Sequence, residues 1–430
     1  MAGHRESDLE DAIEAHLLGH GWAKGTPSDY DASLGLDPVA LAAFVQATQP
    51  KEWDKLVAAY GLAAAARFAM RVADELDANG TVKVLRRTVK DRGAHVRLAF
   101  FKPTHGLTKE LVTLYEANRP GVYRQVHHSE SNPGQSLDLL LCLNGVPLIT
   151  SELKNPFTGQ SVEQAMAQYR DPVQRNPKDR IFARRCVAHF AVDPLLVFMT
   201  TRLAGGGTVF LPFNQGTGGP GADGGKGNPP SATGHATAYL WEQVWQRDNL
   251  LDLVHRFVQE KVDGKGRQVL FPRYHQWDVV RRLVEHARTH GAGQHYLGQH
   301  SAGSGKSNSI SWLAHRLADL HTPTDPARID QQAREAGLGP DELVFHKVVV
   351  ITDRTVLDRQ LQDTISGFDH VLGMLQRIDV NSAQLREALE DTKTKIIITT
   401  LQKFAGHRRR QDRGQAGSGH RGRGAQQPER

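Results

Sequence analysis

Three shortages in the sequence each exclude a class of protein. Only two cysteines occur, Cys142 and Cys186; they form no metal-ligand cluster and need no disulfide, which fits a reducing compartment. No run of 18 or more apolar residues is present, so no transmembrane helix and no membrane partner is predicted. Residues 1–14 are charged and lack the apolar core of a signal peptide, which favours a cytoplasmic protein.

The third shortage is of net charge outside the C-terminal segment, because most of the net positive charge lies in the last 25 residues. Residues 406–430 hold seven arginines and two acidic residues, a net charge of +5 out of +6 for the whole chain. The remainder is almost neutral, so a DNA-binding surface is expected only as a local patch. The same segment has no Leu, Ile, Val or aromatic residue, and we therefore expect a disordered basic tail.

The first 204 residues predict a domain that mixes helices and strands. The predicted helices cover 7–18, much of 38–76, 107–118 and 162–169, and the segments 81–97 and 195–200 are strand-like. Two apolar runs, 137–143 and 146–153, flank Asn144-Gly145, the strongest short signal for a β-hairpin.

A Gly- and Pro-rich stretch, 205–236, predicts a linker or loop between two domains. Beyond it, 237–405 alternates helical segments with short β-branched runs, which are typical of parallel strands buried on both faces. These strands are predicted near Tyr296, at 348–352 and at 396–400. The expected fold class is α/β, with a mixed-sheet domain at 1–204 followed by a parallel-sheet domain.

Charged residues interrupt both apolar runs of the predicted hairpin. Asp138 stands fourteen residues before Glu152-Leu153-Lys154. Residues two apart on a strand project from one face, so Glu152 and Lys154 lie together. Hydrolysis of a phosphodiester requires carboxylates that hold Mg²⁺ and a cationic side chain, such as a lysine, close to them. An exposed ion pair at a strand end is the alternative.

The strand register decides whether these residues meet. A plain two-residue loop pairs Asp138 with Ser151, which puts Asp138 and Glu152 on opposite faces. The chemistry therefore requires an irregularity. We predict a three-residue loop with a G1 bulge at Gly145, which pairs Asp138 with Thr150, or an equivalent irregularity.

A second signal is the segment His300-Ser-Ala-Gly-Ser-Gly-Lys306-Ser307, between a predicted strand at 294–298 and an amphipathic helix. Strand, Gly-rich loop and helix are the context of a phosphate-binding P-loop for ATP. The backbone N–H groups expected around the phosphates belong to Gly303, Ser304, Gly305, Lys306 and Ser307. Lys306 is expected at the β- and γ-phosphates and Ser307 at Mg²⁺. A Gly/Ser loop with a chance lysine is the alternative, and His300 departs from the usual glycine.

The hairpin segment from Ser136-Leu-Asp138 to Glu152-Leu-Lys154-Asn-Pro resembles the PD-(D/E)xK nuclease motif of the restriction (R) subunits of type I restriction–modification enzymes. The resemblance implies metal binding by Asp138 and Glu152 and catalysis by Lys154. Leu137 stands where the motif has proline.

The resemblance also suggests supporting residues on either side of the motif. In the following helix Gln164, Gln168 and Tyr169 are candidates, although no glutamine stands four residues before Tyr169. Ser161-Val-Glu-Gln164 also fits a capping box, in which Gln164 serves only the helix terminus. An N-terminal helix glutamate often completes the metal site of the family, and Glu10 and Glu14 both qualify; Glu14 is the residue we assign to the metal. Charges on a solvated helix face are the alternative for either residue.

Beyond the linker the sequence resembles the superfamily-two helicase motor of the same enzymes, with a RecA-like domain at 237–405. Arg273-Tyr-His-Gln276 is similar to its adenine-recognition motif, with Gln276 on the base; an ordinary surface residue is the alternative. Two further segments are similar to its DNA-contacting motifs and suit phosphate contacts. They are 349–360, including Asp353-Arg354 and Asp358-Arg359-Gln360, and 399–404, Thr399-Thr400-Leu-Gln402-Lys403-Phe404.

The resemblance stops before a Walker B acid and a second RecA-like domain. After Phe404 the only acids are Asp412 and Glu429, and neither follows an apolar strand. Val348–Asp353 is a poor substitute, because Thr352 interrupts the apolar run. We therefore expect a C-terminally truncated or frame-shifted motor that binds ATP weakly and does not translocate.

The resemblance implies an R-subunit fragment that cleaves double-stranded DNA with Mg²⁺. It also implies ATP-dependent translocation by the full-length protein, with methyltransferase and specificity subunits as partners. Two alternatives stay open: a stand-alone helicase–nuclease of repair or defence, and a non-catalytic remnant that binds DNA and nucleotide.

Overall fold

The computed structural model describes residues 6–103, 108–155, 159–232, 234–264, 266–352, 365, 375–378 and 382–401. The chain divides into two compact units, Met1–Asp278 and Val279–Arg430, and each is described by itself. The predictions made for 353–360, 402–404 and the tail at 406–430 lie outside the described residues.

The first unit is built on a seven-stranded mixed sheet with the order β1-β4-β5-β6-β7-β8-β9. The pairs β4–β5 and β5–β6 are antiparallel, whereas β6 and β7 are parallel, which confirms the predicted mixed sheet. Its strands are β1 (Ala23–Lys24), β4 (Pro120–His127), β5 (Ser136–Leu143), β6 (Val146–Leu153), β7 (Ala188–Val192), β8 (Val197–Thr200) and β9 (Leu211–Pro212). Two hairpins lie outside this sheet: β2 (Thr88–Asp91) with β3 (Ala94–Arg97), and β10 (Gln259–Asp263) with β11 (Gly266–Leu270).

Eight described α-helices lie wholly within this unit, besides several short 3₁₀ and π turns. They are α1 (Glu6–Gly19), α2 (Pro38–Thr48), α3 (Pro50–Tyr60), α4 (Ala64–Asn79), α5 (Thr81–Arg86), α6 (Lys109–Glu116), α7 (Val162–Arg170) and α8 (Arg247–Asp252). The helices predicted at 7–18, 38–76 and 162–169 are confirmed. The strand-like interpretation of 81–97 is wrong for its first third, because 81–86 forms α5. Tertiary contacts stabilise that short helix: Glu260 accepts the Val82 N–H, and Arg86 donates to the Val254 carbonyl.

The turn between β5 and β6 fixes the hairpin that carries the candidate acids. Asn144 and Gly145 both have positive φ, 52° and 84°, as a two-residue turn of type I′ requires. The Asn144 side chain is buried and bonds to the Arg119 N–H and the Leu98 carbonyl. A Cβ on Gly145 would lie 2.4 Å from the Asp37 carbonyl oxygen, so only glycine fits.

The segment after the Gly- and Pro-rich stretch packs against the sheet of the first unit. Trp245 and Phe271 lie 5.6 and 6.0 Å from the Phe190 ring of β7, measured between ring centroids. The sequence assigned 237–278 to the second domain, whereas compactness groups these residues with the first unit. The predicted limits 1–204, 205–236 and 237–405 stay predictions.

Among the described residues, one helical stretch of the first unit, Pro50–Asn79, contains an 18-residue window apolar enough to cross a membrane, with a mean hydropathy of 1.4. It is weak evidence for a membrane, because the stretch comprises α3 and α4 with a short turn between them, and Leu56, Phe68 and Leu76 are buried. The cytoplasmic location stays a prediction.

The second unit contains a parallel sheet of three described strands in the order β12-β14-β13. They are β12 (Val348–Thr352), β13 (Leu375–Arg377) and β14 (Ile396–Thr400), and the predicted parallel pairing of β12 with β14 is confirmed. The described helices are α10 (Lys306–Leu317), α11 (Gln331–Glu335) and α12 (Ser382–Glu390), while α9 (Tyr274–His290) crosses the boundary between the units.

The strand predicted at 294–298 is wrong, because 291–300 carries no strand in the structure. Leu297 is 91% exposed and Tyr296 is 46% exposed. The apolar core of this unit is made instead by α10 with β12 and β14, where Ala314, Ile396 and Ile398 are buried together.

Candidate functional site

The register between β5 and β6 sets two acidic residues opposite each other. The ladder shifts by one residue after the turn, so that Leu139 pairs with Ser151. If the ladder is continued by one more pair beyond Leu139 and Ser151, Asp138 lies opposite Glu152. Because directly opposed residues of antiparallel strands project to the same face, both carboxylates belong to one face of the hairpin.

The predicted irregularity is therefore confirmed, but the predicted place for it is wrong. The loop has two residues, since Leu143 pairs with Val146 across Asn144-Gly145. The extra residue lies within β6, where Leu141 pairs with Ile149 and Cys142 with Pro147. A bulge on a strand moves the register as effectively as one in the loop.

Asp138 is held by the strand that carries the other charged residues. Its Oδ2 accepts a hydrogen bond of 2.8 Å from the Leu153 N–H. The Lys154 ammonium lies 3.7 Å from the same oxygen and is 12% exposed. The side chains of Asp138 and Lys154 are thus in contact, as the motif predicted.

Glu152 is completely buried and is bound by a residue that the sequence analysis missed. Arg175 places Nε and Nη2 at 2.7 and 2.6 Å from Glu152 Oε1. Within the described part of the chain, Glu152 Oε2 is buried and accepts no hydrogen bond. Burial raises the pKa of the Glu152 carboxyl well above its usual range, and Asp138 adds to the effect, while Arg175 and Lys154 oppose it.

The donor set of this site suits a small divalent cation. A buried carboxylate oxygen without a hydrogen bond is costly unless a ligand satisfies it, and Glu152 Oε2 stands on the same face as Asp138. Among the described residues no group of three or more His, Cys, Asp or Glu side chains could hold a metal. Mg²⁺ needs only one or two carboxylates, because it keeps waters and takes phosphate oxygens.

Glu10 is the N-terminal helix glutamate that lies beside Asp138. The Gln125 amide donates to Glu10 Oε1 at 3.1 Å and to Asp138 Oδ1 at 3.5 Å. Arg124 donates to Glu10 Oε2 through two nitrogens. Burial raises the pKa of Glu10, and the nearby Asp138 raises it further against the effect of Arg124.

Glu14, which the sequence analysis assigned to the metal, has different neighbours. Its Oε1 lies 3.2 Å from the Lys24 ammonium, and its Oε2 lies 3.3 Å from an Arg124 nitrogen. Glu10 is therefore the acid that a shared partner links to Asp138, and the assignment of Glu14 to the metal stays a prediction.

Gln125 has an unusual backbone beside the acids. Its φ is +49°, in the left-handed region that non-glycine residues rarely adopt. Such conformations concentrate at functional sites, where the surrounding structure holds them. The Ser136 hydroxyl holds the Gln125 amide by donating to its Oε1 at 3.0 Å.

The three candidates on α7 have separate environments. Gln164 Oε1 accepts the Ser161 N–H at 2.5 Å, so the capping alternative describes its contacts. Gln168 is half-buried. Tyr169 is fully buried, and its hydroxyl bonds to Thr150 Oγ1 at 2.8 Å on β6, two residues before Glu152.

Below the acids lies a polar network inside the sheet. Thr150 Oγ1 also bonds to His189 Nδ1 at 2.8 Å. Burial lowers the pKa of His189 to about 3, so this imidazole is neutral at neutral pH. Thr150 stands two residues before Glu152 on the same face of β6, so the network fixes Tyr169 and Thr150 beside that acid.

The candidate P-loop lies at the start of α10 in the second unit. Gly303 and Gly305 have φ of +75° and +84°, and the helix begins at Lys306. Lys306 is exposed and donates to the carbonyls of His300 and Ser301 at 3.0 and 2.9 Å, which belong to its own loop. Ser307 lies in the first turn of α10, and Ser304 is 8% exposed.

A cavity of about 390 Å³ adjoins this loop within the second unit. Its walls are mostly apolar side chains of α9 and α10, and Tyr296, His300 and Lys306 also line it. Such a cavity beside a phosphate loop offers room for a flat apolar ring.

Gln276, the predicted adenine-recognition residue, is buried at the start of α9, so it is not a surface residue. Its Oε1 accepts the Arg273 N–H at 2.9 Å. Thr399 and Thr400, the described part of the second DNA-contacting segment, are buried in β14.

Two family models match separate parts of the chain. Residues 4–205 match the model described as type I restriction enzyme R protein N terminus, and residues 275–421 match the SWI2/SNF2 ATPase model. Among curated proteins, the type I restriction enzyme HindI endonuclease subunit of Haemophilus influenzae is 28% identical over 276 residues. This alignment covers 62% of the present chain and 23% of that protein, so the chain spans less than one quarter of its relative. These matches support a type I restriction enzyme R subunit N-terminal region at 4–205, followed by a region similar to SWI2/SNF2 ATPases at 275–421.

Proposed function

We propose that the chain carries the Mg²⁺-dependent endonuclease site of a type I restriction R subunit, of the PD-(D/E)xK kind. The observation that carries this proposal is the register shift that opposes Asp138 to Glu152, with the Lys154 ammonium 3.7 Å from Asp138. Two acids and a lysine on one face of a hairpin are the groups that hydrolysis of a DNA phosphodiester requires.

Each residue has a separate task in this proposal. Asp138 and Glu152 Oε2 would hold the cation, which supplies Lewis-acid polarisation of the phosphate and an activated water. Lys154 stabilises negative charge near the phosphate, since its ammonium stands beside Asp138. Glu10, rather than Glu14, is linked to Asp138 through the Gln125 amide.

Cleavage of double-stranded DNA with Mg²⁺ tests this site. Asp138→Ala and Lys154→Ala should each lower the cleavage rate by about 10³-fold, because several kcal/mol of transition-state stabilisation is removed. Lys90→Ala, which removes an exposed lysine of β2 in the same unit, is the matched control and should cleave like the wild type. Equal cleavage by all four proteins would contradict the proposal.

We further propose that the second unit binds ATP through residues 303–307. ATP-driven translocation then belongs to the complete R subunit, which cuts double-stranded DNA in complex with methyltransferase and specificity subunits. Lys306→Ala should weaken the binding of a non-hydrolysable ATP analogue at least about tenfold, since the ammonium that meets the phosphates is lost. Lys393→Ala, an exposed lysine of the same unit, should leave binding unchanged in calorimetry. Wild-type binding by Lys306→Ala would remove the nucleotide site.

A further inference from the structure

Arg175 is a charged residue that the motif does not include and that the structure places inside the candidate site. It follows α7 in the chain, and its side chain is completely buried. Besides Glu152, the guanidinium contacts two backbone carbonyls, those of Ser136 and Gln174, each at 2.8 Å. All three groups of hydrogen-bond donors on the guanidinium are thus directed at defined acceptors.

The contact with Glu152 is asymmetric. An arginine commonly meets a carboxylate through two parallel bonds, one to each oxygen. Here Nε and Nη2 both converge on Oε1, at 2.7 and 2.6 Å. In the part of the chain that the structure describes, Oε2 is left buried without a hydrogen bond. One oxygen of Glu152 is therefore anchored, and the other is available.

Arg175 also connects the two strands that carry the acids. Its Nη2 donates to the Ser136 carbonyl on β5, two residues before Asp138, and Glu152 lies on the neighbouring strand β6. The guanidinium thus fixes the Glu152 side chain relative to the strand of Asp138. Hydrogen bonds of this kind orient metal-binding carboxylates, and their removal typically weakens metal affinity 10–100-fold.

We propose that Arg175 is a positioning residue that holds Glu152 by Oε1 so that Oε2, together with Asp138, binds a divalent cation. The proposal rests on the nuclease site proposed above. A simpler role would be to neutralise the buried carboxylate, for which any cationic side chain suffices. The two roles differ for lysine, which keeps the charge but lacks the planar fork of donors.

Calorimetric titration with Ca²⁺ alone, without DNA, separates these roles. Arg175→Gln and Arg175→Lys should both bind Ca²⁺ 10–100-fold more weakly than the wild type. Arg170→Lys is the matched control: this arginine ends α7 and donates to the Thr208 carbonyl instead of an acid, so its Ca²⁺ affinity should not change. Circular dichroism of each variant checks that the fold is intact.

Several results would overturn the proposal. Wild-type affinity in folded Arg175→Lys would mean that charge alone suffices. Tighter binding in Arg175→Gln would mean that Arg175 competes with the cation. A wild-type chain that binds no Ca²⁺ would remove the proposed nuclease site as well, whereas binding that is equal in all variants removes only the role of Arg175.

The wild-type chain offers a readout that does not depend on a variant folding. In ¹⁵N-arginine-labelled protein, the Arg175 Nε–H should exchange slowly with solvent, because it is buried and bonded to Glu152. If Arg175 positions Glu152 for the cation, saturating Ca²⁺ leaves this protection in place. Loss of protection on Ca²⁺ binding means that Arg175 leaves Glu152, and this result contradicts the proposal.

Discussion

Lys154 and Lys306, the two lysines on which the proposed chemistry depends, have very different surroundings. Lys154 is 12% exposed and lies 3.7 Å from a carboxylate, at the end of a strand inside a seven-stranded sheet. Lys306 is exposed and donates to carbonyls of its own loop. The ammonium of the first unit is thus placed by a packed scaffold, and that of the second unit by a short loop at a helix start.

The difference follows from burial. Charged groups inside a sheet are tolerated only when they are paired, so Glu152 and Arg175 must be fixed together before any ligand arrives. A loop in water has no such requirement, because solvent satisfies its polar groups. The first site is therefore organised by the fold, whereas phosphate is expected to organise the second.

The largest expected effect tests this difference through stability. Glu152→Ala leaves the Arg175 guanidinium buried without its acid and should lower the free energy of unfolding by about 3–5 kcal/mol. Lys306→Ala, in the second unit, removes an exposed side chain and should change it by less than about 0.5 kcal/mol. Urea unfolding measures both variants. Similar losses in the two would mean that the sites do not differ in this way.

The next effect sharpens the role of the scaffold. Gly145→Ala should cost about 1–2 kcal/mol for positive φ, and about 1–3 kcal/mol more because its Cβ meets the Asp37 carbonyl. Gly93→Ala is the matched control, since Gly93 has φ +83° in a hairpin turn and nothing lies within 4 Å of its Cβ. The difference between the thermal unfolding midpoints of the two variants measures the cost of the contact between the added Cβ and the Asp37 carbonyl. Equal midpoints would exclude tight packing of the β5–β6 turn on α2.

The smallest effect concerns pH. His189 is buried with a pKa of about 3, while in the unfolded chain an ordinary value near 6.5 returns. Between pH 6.5 and 3 the unfolded chain protonates His189 whereas the folded chain does not. The contribution of the neutral imidazole to the free energy of unfolding is therefore complete above pH 6.5 and is lost as the pH falls toward 3. The slope is at most about 1.4 kcal/mol per pH unit.

His189→Asn should lower the slope of urea unfolding stability between pH 4.5 and 7.5 by up to about 1.4 kcal/mol per pH unit. Part of the slope should remain, because burial also lowers the pKa of His128 to about 3. The exposed His95, on β3, provides the control variant His95→Asn, which should keep the wild-type slope. An unchanged slope in His189→Asn would show that the imidazole inside the sheet does not control acid sensitivity.

The hairpin and its charged residues could be predicted because their signals are local. Asn144-Gly145 between apolar runs predicts a turn, and an acid opposite Glu-x-Lys requires a register shift. The position of the shift could not be predicted, since a bulge in β6 and a longer loop have the same effect on the acids. The choice between Glu10 and Glu14 also depends on a distant residue, Gln125 of β4.

Arg175 could not be predicted, because it lies 23 residues from Glu152 in a segment after α7 with no periodic pattern. The strand predicted at 294–298 is wrong for the opposite reason, because a local pattern is present there but a tertiary partner is absent from the described sheet. A short apolar run predicts a strand, but Leu297 is 91% exposed and pairs with no neighbour in the described sheet. Local pattern without a tertiary partner is an insufficient basis for a strand.

The packing of Trp245 and Phe271 on Phe190 has a practical consequence for shortened forms of this protein. A fragment that ends at the Gly- and Pro-rich stretch would uncover one side of β7 and expose an aromatic surface to water, which promotes aggregation. A fragment that continues through Phe271 keeps this surface covered. Expression boundaries chosen from the sequence alone would therefore reduce solubility, although Asp138, Glu152 and Lys154 would all be retained.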